Sequence, residues 1–135
     1  MSAQVEHEQL LIRAFILPQR RERYLEMIAK PKRRQAFAES LAHFKHLDMR
    51  FAVRIPPHLQ HANEIAKILK SKGAFASCCA LSECSEIDGK DILLEVALQA
   101  VVGAGMGTFL SCVPGKLAYF KDEDQRWILE RSGKA

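Results

Sequence analysis

A run of 20 residues without a charged side chain, from position 96 to 115, constrains this chain more than any other feature. A run of that length can cross a bilayer if it forms one apolar helix. Three glycines within 103–107 weaken such a helix, and Pro114-Gly115 breaks its far end. The first part of the run also completes an amphipathic pattern that begins among charged residues at Asp88. We therefore predict that the run belongs to the core of a soluble protein and does not enter a membrane.

The glycines at 103–107 also raise the question of phosphate binding. Dinucleotide-binding loops run from strand to glycine loop to helix, so that the positive helix N-terminus meets the phosphate. Here the order is helix, glycines, strand, and neither G-x-G-x-x-G nor Gly-Lys-Ser/Thr occurs. A nest of backbone N–H groups that holds an anion stays open. The favoured interpretation is a connector whose glycines supply positive φ and close packing.

The periodicity of the apolar residues predicts one α/β domain over residues 1–135, with α+β as the alternative class. We expect a mixed β-sheet of about five or six strands, with about three or four helices packed on it. The last three strands form an antiparallel meander. The predicted strands cover 8–18, 49–57, 75–82, 108–113, 116–120 and 126–131, and the predicted helices cover 19–30, 31–45, 58–73 and 88–103.

Individual residues mark the ends of these elements. Pro31 is predicted in the first turn of the second helix, where a missing N–H is tolerated. Gly73 is predicted to end the third helix in a left-handed conformation, and Asp88 to cap the last helix at its N-terminus. Pro114-Gly115 suits the two central positions of a type II turn.

Composition indicates the class of protein and its compartment. With 48% apolar and 27% charged residues, the chain has the balance of a globular protein and not of a disordered one. The N-terminus carries no secretory signal, so we expect a cytoplasmic protein. The four cysteines form no C-x-x-C pair and are expected to be buried thiols.

The densest charge in the chain is basic and lies at residues 19–34, which hold seven Lys/Arg and two Glu in a protein of net charge +4. Arginine-rich helical faces neutralise phosphates on nucleic acid. We therefore predict a binding module that uses this helical face for a polyanion such as nucleic acid. The segment holds one aromatic residue, Tyr24, and a solvated face is the alternative. The candidate contacts are Arg20, Arg21, Arg23, Lys30, Lys32, Arg33 and Arg34. Arg33 and Arg34 are expected to be exposed, so that replacing both should hardly change stability.

A second hypothesis is a small enzyme or a ligand- or metal-binding domain centred on the acidic segment 82–91 and on the glycines at 103–107. The segment leaves a predicted strand and enters a predicted helix, the edge where α/β folds usually bind ligands. Its carboxylates suit a Mg²⁺-like ion or general acid/base chemistry, although Asp88 already has a structural use as a cap. The candidate residues are Ser82, Glu83, Glu86, Asp88, Gly105 and Thr108.

The pattern names no catalytic residue and no cofactor. Neither His43/His46 nor His58/His61 has the carboxylate or cysteine neighbours of an H-E-x-x-H motif, so no metal site built from histidines is predicted. Among partners, a homo-oligomeric second copy stays open beside the anionic partner.

Overall fold

A six-stranded antiparallel sheet organises the computed structural model, which describes residues 3–103 and 105–131. The strands follow the order β1-β6-β5-β4-β2-β3, and each neighbouring pair is antiparallel. The strands are β1 (Ala52–Arg54), β2 (Ser77–Ser82), β3 (Asp91–Leu93), β4 (Thr108–Val113), β5 (Leu117–Lys121) and β6 (Arg126–Glu130). The predicted α/β class, with helices packed on one sheet and a C-terminal meander, is confirmed.

The sheet differs from the predicted mixed sheet because it contains no parallel neighbours in the described part of the chain. β1 and β2 do run in the same direction, and a helix joins them. Three strands, β6, β5 and β4, nevertheless lie between them. The connection from β1 to β2 therefore joins two parallel strands that are not neighbours in the sheet. The sequence alone does not show which strands pair, so it could not reveal this arrangement.

In the described part of the chain, five α-helices cover the two faces of the sheet, against the three or four predicted. Alternate residues along each strand point to opposite faces, as Leu110 and Phe109 do. The first three helices pack on the face of Phe109, and the last two pack on the face of Leu110. The helices are α1 (Ala3–Phe15), α2 (Arg21–Ile28), α3 (Pro31–Glu39), α4 (Ala62–Ser71) and α5 (Leu94–Val101).

The prediction of a first strand at 8–18 is wrong, since most of that segment lies in α1. The buried residues of α1 have the spacing of one helix face. They are Glu8, Leu11, Ile12, Ala14 and Phe15. An apolar run of this length fits a strand or a helix equally well. The residues before the apolar run continue the same helix back to Ala3, and this extension distinguishes a helix from a short buried strand.

The prediction of a single helix at 88–103 is also wrong at its start. The short strand β3 comes first, and α5 begins only at Leu94. Asp88 is therefore not a helix cap. Its Oδ1 instead accepts a hydrogen bond of 2.9 Å from the backbone N–H of Ser82 and holds the loop between β2 and β3 closed.

Several turn predictions are confirmed. Pro31 occupies the first turn of α3. Gly73 and Gly115 have φ values of 109° and 73°, in the left-handed region that glycine favours. Gly107 supplies close packing and not a left-handed φ, because a Cβ there would lie 2.2 Å from the carbonyl carbon of Leu41.

The uncharged run at 96–115 is shared among α5, the glycine segment, β4 and the turn before β5. Within residues 3–103 and 105–131, none of the helices combines the length and the apolar content that a bilayer crossing requires. The four cysteines are free and buried, as predicted. Burial raises the pKa of Cys79 to about 11 and that of Cys112 to about 12, so both stay protonated thiols at neutral pH.

Candidate polyanion-binding surface

The basic segment folds as a 3₁₀ turn at Pro18–Arg20 followed by α2 and α3. The chain is extended at Lys30, and Pro31 then starts the second helix without needing an N–H partner. The seven predicted cations do not share one environment. Five of them are exposed and have no hydrogen bond or ion pair from their side chains among the described residues. We call these five the basic surface: Arg20, Arg23, Lys30, Lys32 and Arg33.

Arg34 does not belong to the basic surface, and its predicted exposure is wrong. Its guanidinium forms a two-sided ion pair, 2.7 Å from Glu8 Oε2 and 2.8 Å from Asp88 Oδ2. Its side chain is 19% exposed, and that of Glu8 is 6% exposed. The hydrogen bonds to Asp88 and Glu8 raise the pKa of Arg34 further above its usual range. Arg34 thus ties α1, α3 and the β2–β3 loop together.

Arg21 also turns away from the basic surface. Its Nε donates a hydrogen bond of 2.8 Å to the carbonyl of Ile16, and its Nη2 lies 3.7 Å from the buried carboxylate of Asp48. Asp48 accepts closer hydrogen bonds from Arg50, which hold the pKa of that carboxyl below its usual range. Arg21 therefore has a structural use in joining α2 to the core.

A hollow of about 410 Å³ lies between α2 and α3 at the centre of the basic surface. Arg23 and Arg33 line it from the two helices, together with Glu26 and Met27. Since neither arginine has a partner of its own in the described part of the chain, both guanidinium groups are available to an anion that enters the hollow.

A second hollow, of about 310 Å³, adjoins α2 on the side of the segment that follows α3. We call it the aromatic hollow; it is lined by Tyr24, Ser40, His43, Phe44, Lys45 and His46. Tyr24 stacks on Phe37 with ring centroids 4.8 Å apart, and its hydroxyl lies 2.7 Å from Nδ1 of His46. Burial, followed by the charges of Arg20 and Arg23, lowers the pKa of His46. The imidazole is therefore neutral at pH 7.

The sequence interpretation missed the aromatic hollow because it counted Tyr24 as the one aromatic residue within 19–34. Phe44 and His46 follow the second helix in sequence and return beside Tyr24 in the fold, with Phe44 and Tyr24 in edge contact at 5.5 Å. The alternation of His43, Phe44, Lys45 and His46 is the sequence signal that was available.

The acidic segment 82–91 uses most of its predicted site residues to hold itself together. The hydroxyls of Ser82 and Thr108 lie 2.7 Å apart, Glu83 accepts a hydrogen bond of 2.8 Å from the backbone of Ala42, and Asp88 is paired with Arg34. In the residues that the structure describes, no three His, Cys, Asp or Glu side chains are placed to share a metal ion.

The structure brings part of this second predicted site together. Ser82, Glu83 and Asp88 line a cavity of about 300 Å³ whose other wall is α3, including Arg34. Thr108 lies fully buried behind Ser82, whereas Glu86 and Gly105 are exposed and do not line that cavity. The two predicted sites therefore meet at α3, which presents Arg33 to solvent and Arg34 to the acidic loop.

Sequence reasoning also missed Lys121, which is 1% exposed at the end of β5. A polar row crosses the sheet there through cross-strand neighbours Ser82, Thr108, Lys121 and Arg126. Lys121 Nζ donates to the carbonyl of Asp122 at 3.2 Å, and no described carboxylate lies within ion-pair distance of it. Burial and the charge of Arg126 lower the pKa of Lys121.

Comparison of the chain with protein-family models, with curated proteins and with solved structures gives no match.

Proposed function

We propose that the protein is a binding module whose basic surface contacts the phosphates of a polyanion, with nucleic acid as the class of partner. The observation that carries the proposal is the absence of partners around Arg20, Arg23, Lys30, Lys32 and Arg33 within residues 3–103 and 105–131. Elsewhere on the surface, Lys70 and Lys72 pair with carboxylates at 2.7 and 2.9 Å, and the cations without a described partner, such as Lys45, Arg54 and Lys116, are scattered over different elements. Exposed cations without partners carry counterions that a polyanion can release on binding.

The spacing of the five cations supports an extended ligand and not a single small anion. They are distributed over a 3₁₀ turn, two helices and the junction between them. Glu22 and Glu26 interrupt the surface on α2, so the positive charge is strongest toward α3. A chain of phosphates can follow such a discontinuous surface, since each phosphate needs only one nearby cation.

The test is binding of a labelled oligonucleotide as a function of salt. Each lost phosphate contact should flatten the slope of log K against log salt by about 0.7–0.9 units. The variant Arg23→Gln/Arg33→Gln should therefore bind more weakly to every sequence and show a slope smaller by about 1.4–1.8 units.

The matched control is Arg54→Gln/Lys116→Gln, which removes the same charge from exposed side chains without a described partner on β1 and in the β4–β5 turn. It should retain the wild-type slope. Absence of binding at low salt, or equal slopes for the two double variants, would overturn the proposal.

A second candidate function is ligand binding in the cavity between α3 and the acidic segment. The observation in its favour is the polar lining of about 300 Å³, where Ser85 has no described hydrogen bond from its side chain. A panel of nucleotides and divalent ions should raise the melting temperature if one of them binds there, because ligand occupancy adds to folding stability. Ser85→Leu should remove that shift, and a shift that survives the substitution would place the ligand elsewhere.

A further inference from the structure

The aromatic hollow adds a second kind of recognition beside the basic surface. Its volume of about 310 Å³ is at the lower end of the range for small-molecule pockets. Tyr24 and His46 line the hollow with half-buried rings, and Phe44 borders it from the core, where it is 7% exposed. The charges of Arg20, in the 3₁₀ turn, and of Arg23, on α2, act on His46. The hollow is thus an aromatic recess at the rim of a phosphate-binding surface.

The rings of the hollow are fixed before any ligand arrives. Tyr24 is stacked on Phe37, and Phe44 meets His46 edge to face at 5.8 Å. The hydrogen bond between Tyr24 Oη and His46 Nδ1 occupies the phenol oxygen and one of the two ring nitrogens of His46. A ligand group in the hollow therefore meets mainly ring atoms, with Nε2 of His46 as a remaining polar atom, which suits stacking better than readout of a base edge.

Lys45 extends the positive charge to the outer rim of this recess. Its exposed side chain has no described partner, whereas the neighbouring His43 is paired with Glu123 at 2.9 Å. Lys45 lines the hollow itself, whereas Arg20 and Arg23 act on His46 by their charge from the segment that contains Tyr24. A planar group in the recess has cations available for the charges that flank it.

We propose that the polyanion is a single-stranded nucleic acid, with one unpaired base stacked in the aromatic hollow and the flanking phosphates on Arg20, Arg23 and Lys45. This inference rests on the proposed function of the basic surface. A duplex exposes only the edges of its bases, whereas a single strand turns base faces outward for stacking on aromatic side chains. Such stacking tolerates any sequence because every base has a π-face.

The experiment compares single-stranded DNA, single-stranded RNA and a duplex of the same sequence, each labelled and measured at low salt. Both single strands should bind about tenfold more tightly than the duplex. The fluorescence of a 2-aminopurine base in the single strand should change on binding, because that base enters an aromatic environment. Equal affinity for single strand and duplex, or an unchanged 2-aminopurine signal along the whole strand, would overturn the inference.

Variants separate this inference from the proposed function. His46→Ala should remove most of the preference for single strands and leave the salt slope unchanged, because the phosphate contacts remain. Arg23→Gln/Arg33→Gln should reduce the slope and keep the preference. Phe75→Ala, which removes an exposed ring that does not line the hollow, is the control and should bind as the wild type does.

The two failures are distinguishable. A wild-type protein that shows the salt slope without a single-strand preference contradicts only the aromatic hollow. A wild-type protein that binds neither form at low salt contradicts both proposals. If His46→Ala fails to fold, the 2-aminopurine measurement on the wild type still decides the matter.

Discussion

Arg33 and Arg34 are adjacent in sequence and belong to two different regions of the molecule. Arg33 is part of the basic surface, whereas Arg34 is clamped between Glu8 and Asp88. A helix turns about 100° per residue, and Arg34 shares its face with the buried Phe37 and Ala38. The comparison teaches that the helix face on which a cation lies, together with the acids that the fold brings to that face, decides whether the cation is available to a partner, and not the density of charge.

The largest effect should come from breaking the buried clamp. Arg34→Gln leaves Glu8 and Asp88 without their cation and should lower the free energy of unfolding by about 3–4 kcal/mol, as loss of one partner in a buried ion pair does. Urea unfolding measures this loss. Arg33→Gln is the matched control, and equal losses in the two variants would contradict the distinction between the two regions.

Gly105 and Gly107 offer a similar comparison between an exposed and a closely packed position, in which charge plays no part. A Cβ at Gly107 would lie 2.2 Å from Leu41 C, and one at Gly105 would meet nothing within 4 Å. Gly107→Ala should therefore destabilise the protein by about 2–3 kcal/mol, since the backbone of Leu41 must shift. Gly105→Ala should change stability by less than about 0.5 kcal/mol. Thermal unfolding of the two variants compares them directly, and a tolerated Gly107→Ala would contradict the close packing.

Lys121 tests whether every buried cation stabilises the fold. Unlike Arg34, it has no described carboxylate partner, so Lys121→Met should raise the free energy of unfolding by about 1–2 kcal/mol at neutral pH. The sign of the pH dependence follows from the lowered pKa. The pKa of Lys121 is lowered in the folded state, whereas the unfolded lysine titrates near 10.5. As pH rises toward 10.5, the folded side chain loses its proton first, so the destabilisation caused by the buried ammonium decreases.

The measurement is urea unfolding of wild type and Lys121→Met across the alkaline range. The advantage of the variant should be greatest at neutral pH and should shrink toward pH 10.5. A destabilised variant would mean that Lys121 has a partner that stabilises its charge.

The smallest effect on stability should come from the basic surface. Lys32→Gln and Arg33→Gln should each change the free energy of unfolding by less than about 0.5 kcal/mol, because neither side chain has a described partner. Circular dichroism during urea unfolding is a sufficient measurement. A loss above about 1 kcal/mol for either would show that the residue supports the fold and would remove it from the basic surface.

Much of the fold could be predicted because local signals and tertiary contacts agree. The last three strands, the turn at Gly115 and the break at Pro31 depend on residues whose backbone preferences are strong. α1 could not be predicted by its apolar run alone, since Leu11, Ile12 and Phe15 fit a buried strand as well as a helix face. β3 has three residues, too few to show a period.

The candidate surfaces were predictable only in part. The sequence identifies the segment 19–34, but the inward turn of Arg21 and Arg34 depends on acids that are distant in sequence, such as Asp88. The aromatic hollow forms because the chain after α3 returns to Tyr24. Contacts of that kind require the tertiary fold, and no local pattern encodes them.

The strand order also has a consequence for how quickly the sheet can assemble. β4, β5 and β6 are joined by tight turns, whereas β1 must wait for β6, more than half of the chain later. Closing a longer loop costs more chain entropy, so the C-terminal hairpins should form the folding nucleus and β1 should join last. Weakening this edge of the sheet, for example at the buried Ile55 that directly follows β1, should then speed unfolding and leave the refolding rate almost unchanged.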